Sequence, residues 1–87
     1  MIRNIPIRYT IDLLIKELED FNNKFDCIYL PFDYEREGNK GFAFINFINP
    51  LHIILFFELF EGRTWKYIES NKICSLNMAN YQGINEI

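Results

Sequence analysis

Phe42 and Phe44 stand two residues apart in the stretch Lys40-Gly41-Phe42-Ala43-Phe44-Ile45-Asn46-Phe47. In an extended strand, side chains alternate between faces. Phe42 and Phe44 therefore share a face with Lys40 and Asn46, while Gly41, Ala43, Ile45 and Phe47 take the other. A strand with one wet face should be apolar on one side only, but this one carries large rings on both. Packing accounts for one face. The other has the makings of a stacking surface: two rings to lie against unpaired bases, worth roughly 1–3 kcal/mol per base. Beside them are a lysine to neutralise a phosphate and an amide to hydrogen-bond to base or sugar.

The flanking elements must hold this strand with one face open. Ile2 to Ile5 is a short β-compatible run ended by Pro6. Thr10 is placed as the N-cap of an amphipathic helix, with Asp12 in its first turn. Ile11, Leu14, Ile15, Leu18 and Phe21 form the apolar stripe of that helix, which ends near Asn22 and Asn23. Phe25 to Phe32 reads as a second strand, with Pro31 marking an edge or a bulge. Tyr34 to Asn39 is a polar loop whose turn is Gly38-Asn39, and Lys40 to Phe47 is the third strand. Asn49 and Pro50 cap and open a second helix over Leu51 to Phe60, with Gly62 placed to end it. Arg63 to Asn71 is a loop holding Trp65 and Tyr67. Lys72 to Met78 is the last strand.

The order β-α-β-β-α-β predicts an α+β, ferredoxin-like fold: a four-stranded antiparallel sheet with two helices on one face. The expected domain covers residues 1–80, with 81–87 a tail or the start of a truncated extension. In this plan Gly41 and Ala43 face the helices and let one approach closely, and Ile45 and Phe47 fill the core. Phe42 and Phe44 point to the open face. In the second strand, either Ile28, Leu30 and Phe32 face the helices and Tyr29 the open side, or the reverse. The second helix is apolar nearly all round. Ile53, Phe56, Phe57 and Phe60 make one face, and Leu51, Ile54, Leu55 and Leu59 extend it. That is either a wide buried face partly covered by the Trp65 loop, or a second contact surface for a protein partner or for flanking sequence.

Composition narrows the function classes. The chain has 87 residues, 49% hydrophobic and 17% aromatic, which suits one small folded domain rather than a disordered segment. The longest apolar-rich stretch, Leu51 to Phe60, is too short to span a bilayer and contains His52 and Glu58, so no membrane role is expected. Cys27 and Cys74 lack metal-ligand spacing and read as buried free thiols suited to a reducing, intracellular compartment. No cofactor, metal or catalytic set is indicated. His52 is the one histidine and lies in an apolar helix, so an enzyme is not expected.

The stretch 40–47 resembles the first ribonucleoprotein motif of the RNA recognition motif, K/R-G-F/Y-G/A-F-V-x-F/Y, with Ile45 in place of valine. The second motif of that family lies on the first strand. Ile2-Arg3-Asn4-Ile5 fits its latter part, and its aromatic position falls on Met1. More narrowly, "MIRNIPIRYT", "YLPFDYEREGNKGFAFINFINPLHI", "FEGRTWKY" and "SLNMANYQG" resemble the C-terminal RNA recognition motif of the Mei-two-like meiosis regulators. The resemblance covers nearly the whole chain. It implies single-stranded RNA as partner, a nuclear or cytoplasmic location, a role in meiotic or developmental RNA control, and a C-terminal extension continuing beyond Ile87. It also implies that Met1 is the family's usual residue. The expected RNA-contacting residues are Met1, Arg3, Tyr29, Lys40, Phe42, Phe44, Asn46, Asn77, Ala79 and Tyr81, on a monomeric domain.

Net charge is −3, which by itself argues against a strong phosphate binder. Its distribution is more favourable. Asp12, Glu17, Glu19, Asp20, Glu58 and Glu61 fall on the helices, behind the sheet. Arg3 and Lys40 lie beside the rings, with Arg8, Lys66 and Lys72 as candidate rim cations. A rival reading is protein binding. Some domains of this fold take tryptophan-bearing peptides through an Arg-x-Phe loop and an acidic first helix. Arg63-Thr64-Trp65 occupies that loop here, with Glu17, Glu19 and Asp20 on or near the helix. Such domains usually lose the exposed rings that Phe42 and Phe44 supply.

Overall fold

Thr10 opens the first helix as expected, its hydroxyl accepting from the Leu13 amide at 3.2 Å. The computed structural model of the chain describes residues 1–77. Helix α1 (Ile11–Glu17) is shorter than its apolar stripe predicts. The Leu18 amide is shared between the carbonyls of Leu14 and Ile15, each at 3.1 Å, and a 3₁₀ turn at Glu19–Phe21 continues the path. Such tightening is common at helix ends, and it still delivers Phe21 to the core.

The strands are β1 (Ile2–Arg3), β2 (Phe25–Tyr29), β3 (Phe32–Asp33), β4 (Gly38–Asn39), β5 (Phe42–Phe47) and β6 (Ser75–Leu76), and helix α2 spans Pro50–Phe60. The main sheet has four strands in the order β2-β5-β1-β6, each antiparallel to its neighbours, and β3 and β4 form a separate hairpin. This is the expected α+β, ferredoxin-like plan, with β1 and β5 in the middle of the sheet.

Several boundaries differ from expectation for identifiable reasons. β1 stops at Arg3 because Asn4 turns left-handed at φ 62°, where its amide donates to the Ile73 carbonyl at 3.0 Å. Asparagine tolerates that region better than most residues. Gly38-Asn39 is not the turn of the polar loop. The turn lies at Tyr34 to Glu37, where the Asp33 carboxylate accepts from the amides of Glu35 and Arg36 at 3.0 and 3.3 Å. Gly38 is instead a point of close approach: a Cβ there would sit 2.5 Å from Ile7 Cγ2 and 2.6 Å from the Ile7 carbonyl. Buried Asn39 acts as a staple, its amide donating to the carbonyls of Pro6, Ile7 and Tyr9 at 2.8, 3.1 and 2.9 Å. It ties the β1–α1 connection to the end of the sheet.

Gly41 is also misread by simple alternation. Its φ is +88°, and a Cβ there would meet nothing nearer than the Ile5 carbonyl at 3.9 Å. Glycine serves here for its left-handed backbone, not for helix approach. The strand proper therefore begins at Phe42, with Lys40 outside it.

The core lies between the helices and the sheet. Ile2, Ile5, Leu14, Leu18 and Cys74 are its largest fully buried side chains, joined by Ala43, Phe56, Phe60 and Trp65. Phe21 is the aromatic hub, edge-on to Phe47, Phe56 and Phe60 at 5.9, 5.3 and 5.9 Å between centroids. Asn49 caps α2 by accepting from the Leu51 amide at 2.9 Å. The expectation of a wide buried α2 face is overturned. Leu51, Ile54, Leu55 and Leu59 are 50–66% exposed. The Trp65 loop packs instead against Tyr9 and α1. Among the described residues no helix is long and apolar enough to cross a membrane.

Candidate nucleic-acid interface

The pairing register builds the open face of the sheet. Ile2 sits opposite both Ala43 and Leu76 and is buried with Ala43, so that row faces the helices. The neighbouring row faces away: Arg3 opposite Phe42 and Ser75, and Tyr29 opposite Phe44. Phe42 and Phe44 are half-buried. Their rings stand edge to face, with centroids 5.6 Å apart and an interplanar angle of 80°. Such pairs are favourable in themselves, so each ring holds the other upright. Tyr29, at 60% exposed, adds a third ring beside Phe44. Ile28 and Leu30 pack toward the core, which resolves the register of β2. Phe32 joins neither row. It is 49% exposed and lies edge-on to Tyr34, at 4.9 Å.

Met1 continues the Arg3 row. Its backbone pairs with Asn77, the terminal amine donating at 2.5 Å and the Asn77 amide returning a bond at 2.9 Å. Burial holds the Met1 amine below its ordinary pKa. Asn46 is exposed two residues beyond Phe44, and its side-chain amide donates to Asp26 Oδ1 at 2.8 Å. Lys40 is exposed at the other end of β5, its backbone amide bonded to the Pro31 carbonyl at 2.9 Å. Lys72 joins that end, with Nζ 3.5 Å from the Ile5 carbonyl. Among the described residues, Arg3, Arg8 and Lys40 make no ion pair. Arg8 lies off the face, lining an open groove of about 340 Å³ with Ile11, Leu30 and Phe32. Lys66 is on the helix side, where its backbone amide donates to Glu17 at 3.3 Å. Ala79 and Tyr81 lie outside the described residues.

The Arg63 to Trp65 loop is structural. Glu17, whose side chain is almost wholly buried, accepts from the Tyr9 hydroxyl at 2.6 Å and from Arg63 Nη2 at 2.8 Å. Arg63 also lies over the Phe60 ring at 4.3 Å. Trp65 is 7% exposed, its ring edge-on to Tyr9 at 5.4 Å. Burial, then the bond to Glu17, pushes the Tyr9 hydroxyl up to about 12. Arg63, Trp65 and Glu17 are thus engaged inside the fold, Glu19 and Asp20 alone of the groups assigned to peptide capture being exposed acids, and the peptide reading is not favoured.

Sequence reasoning missed the Asp26–Asn46 pair and the exposure of Cys27. Both follow from a bulge in β2: Phe25 is opposite Phe47, but Cys27 is already opposite Asn46. The signal was present. Phe25 and Ile28 are both inward-facing and three residues apart, a spacing that strict alternation cannot give and one extra residue can. Cys27 is consequently exposed, against expectation. Cys74 is buried, its thiol pushed up to about 12 by burial and then by Glu61.

Comparison with known proteins places the chain among relatives. A family model, RNA recognition motif 2, matches residues 1–87. The chain is 42% identical to the protein MEI2-like 2 of Oryza sativa subsp. japonica over 84 residues, which is 95% of this chain and 10% of that protein. It is 44% identical to MEI2-like 4 of the same rice over 95% of this chain and 8% of that protein. It is 42% identical to MEI2-like 5 of Arabidopsis thaliana over 95% of this chain and 10% of that protein. The chain thus spans about a tenth of the length of these relatives.

Proposed function

The chain belongs to the RNA recognition motif 2 family, and from that premise we propose that it binds single-stranded RNA across the open face of its sheet, with bases on Phe42 and Phe44. The observation that carries this is the upright ring pair beside an arginine that makes no ion pair among the described residues and a largely exposed tyrosine. Stacking on such rings is tolerant of sequence and is worth roughly 1–3 kcal/mol per base. Arg3 and Lys40 supply the phosphate contacts, Met1 packs against a base, and Asn46 reads a base edge. Asn77, with Ala79 and Tyr81 after it in the sequence, supplies further RNA contacts. With so few cations on the face, affinity is modest and its salt dependence shallow. The role is binding rather than catalysis. The domain acts as a monomer within a larger intracellular RNA-regulatory protein of the meiosis-regulator type.

The test is chemical-shift mapping of the chain, titrated in parallel with short single-stranded RNAs and with a tryptophan-containing peptide. RNA should move the resonances of Arg3, Tyr29, Phe42, Phe44 and Asn46 and spare those of residues 63–67. Shifts confined to 63–67 and α1, produced by the peptide alone, would reverse the assignment.

A further inference from the structure

We propose that Lys72 holds an RNA phosphate over Gly41, at the Lys40 end of β5. The inference rests on the proposed binding of RNA across the sheet and adds where the RNA backbone leaves it. Lys72 lies in the loop that leads into β6. Its side chain reaches past the end of β1 to the Ile5 carbonyl, with Nζ at 3.5 Å.

Lys72 is not a free-swinging surface side chain. Its backbone amide donates to Ser70 Oγ at 3.1 Å. The carbonyl of the next residue, Ile73, accepts from the Asn4 side-chain amide at 3.0 Å, which ties the loop to the end of β1. The Ile5 carbonyl then takes the ammonium itself. A stem ordered in advance loses less freedom when an anion arrives. A lysine ammonium has three donors, so two remain for a ligand. Lys72 makes no ion pair among the described residues.

Gly41 borders the same carbonyl. The Ile5 amide donates to the Gly41 carbonyl at 2.9 Å, which couples the two residues. A Cβ at Gly41 would meet nothing nearer than the Ile5 carbonyl oxygen, at 3.9 Å. Space is therefore open over Gly41, and the oxygen that edges it is the one that holds Lys72. Lys40 precedes Gly41, is exposed and makes no ion pair among the described residues. Phe42 follows, with Arg3 across from it on β1. A phosphate flanking a base on Phe42 falls at this end of the strand, among cations. The far end of β5 is the opposite. There Asp26, bonded to the Asn46 amide at 2.8 Å and in no ion pair among the described residues, repels phosphate.

The experiment measures the RNA affinity of the 87-residue chain against salt, with oligouridine and oligocytidine of equal length. One phosphate contact on a single strand contributes about 0.7 to the slope of log affinity against log salt. Lys72→Gln keeps a donor but not the charge, and should lower the slope by about that amount. Its affinity deficit should therefore shrink roughly threefold between about 50 and about 200 mM salt. The deficit should be equal for the two oligomers, because a phosphate contact carries no sequence information. Lys72→Arg, which keeps the charge, should restore the wild-type slope. Lys66→Gln removes a charge on the helix side and should leave the slope unchanged. A Lys72→Gln chain that binds RNA with the wild-type slope overturns the inference and leaves RNA binding standing. An equal fall in slope for Lys66→Gln also overturns it, since that would mark only the loss of net charge. A wild type that binds neither oligomer removes the proposed function, and this inference with it.

Discussion

The two faces of β5 carry the same ring and use it differently. On the helix side, Phe47 meets Phe21, Phe25 and Phe56 at 5.9, 6.5 and 5.1 Å. On the open side, Phe42 and Phe44 meet each other at 5.6 Å. Phe47 is part of a closed aromatic cluster. Phe42 and Phe44 support one another and leave surface to be covered. A phenylalanine in a strand therefore says little until its face is known. Here the face follows from which neighbour is small and fully buried, namely Ala43. The contrast separates residues that keep the sheet folded from residues that give it a use.

Breaking the closed face should have the largest effect. Phe21→Ala removes the ring shared by Phe47, Phe56 and Phe60 and should cost about 3–5 kcal/mol in urea unfolding. In so small a domain that is much of the total. Next comes the buried carboxylate behind the sheet. Glu17→Ala leaves Arg63 and the Tyr9 hydroxyl without their partner and should cost about 3 kcal/mol. Red-shifted Trp65 fluorescence would report the loosened loop, while the RNA affinity of the folded fraction should be unchanged. The smallest effect belongs to the outer side of α2. Leu55→Lys with Leu59→Lys should change stability by no more than about 0.5 kcal/mol per site, since both residues are at least half exposed. A larger loss there would mean that this side is packed after all.

The element order and the inward and outward rows of β5 from Phe42 onward were legible, because alternation and helical periodicity are local signals. Thr10 and Asn49 marked the helix starts for the same reason. What escaped depended on contacts distant in sequence. Gly38 and Asn39 look like a turn pair by composition, yet their roles are set by Ile7, Pro6 and Tyr9. Arg63 and Trp65 look like an exposed motif, and only the position of Glu17 and Tyr9 makes them interior. Gly41 was placed by extending alternation one residue too far, past a left-handed backbone that period-two counting does not register.

Stacking and folding should be separable on β5, and one paired measurement addresses this directly. Phe42→Ala with Phe44→Ala would be unfolded in urea and, in parallel, titrated with short single-stranded RNA at fixed salt. The cooperative unfolding transition should survive, and binding should weaken by about 1–3 kcal/mol for each base that loses its ring. A variant that stays folded and binds RNA as tightly as the wild type would contradict the assignment of this face.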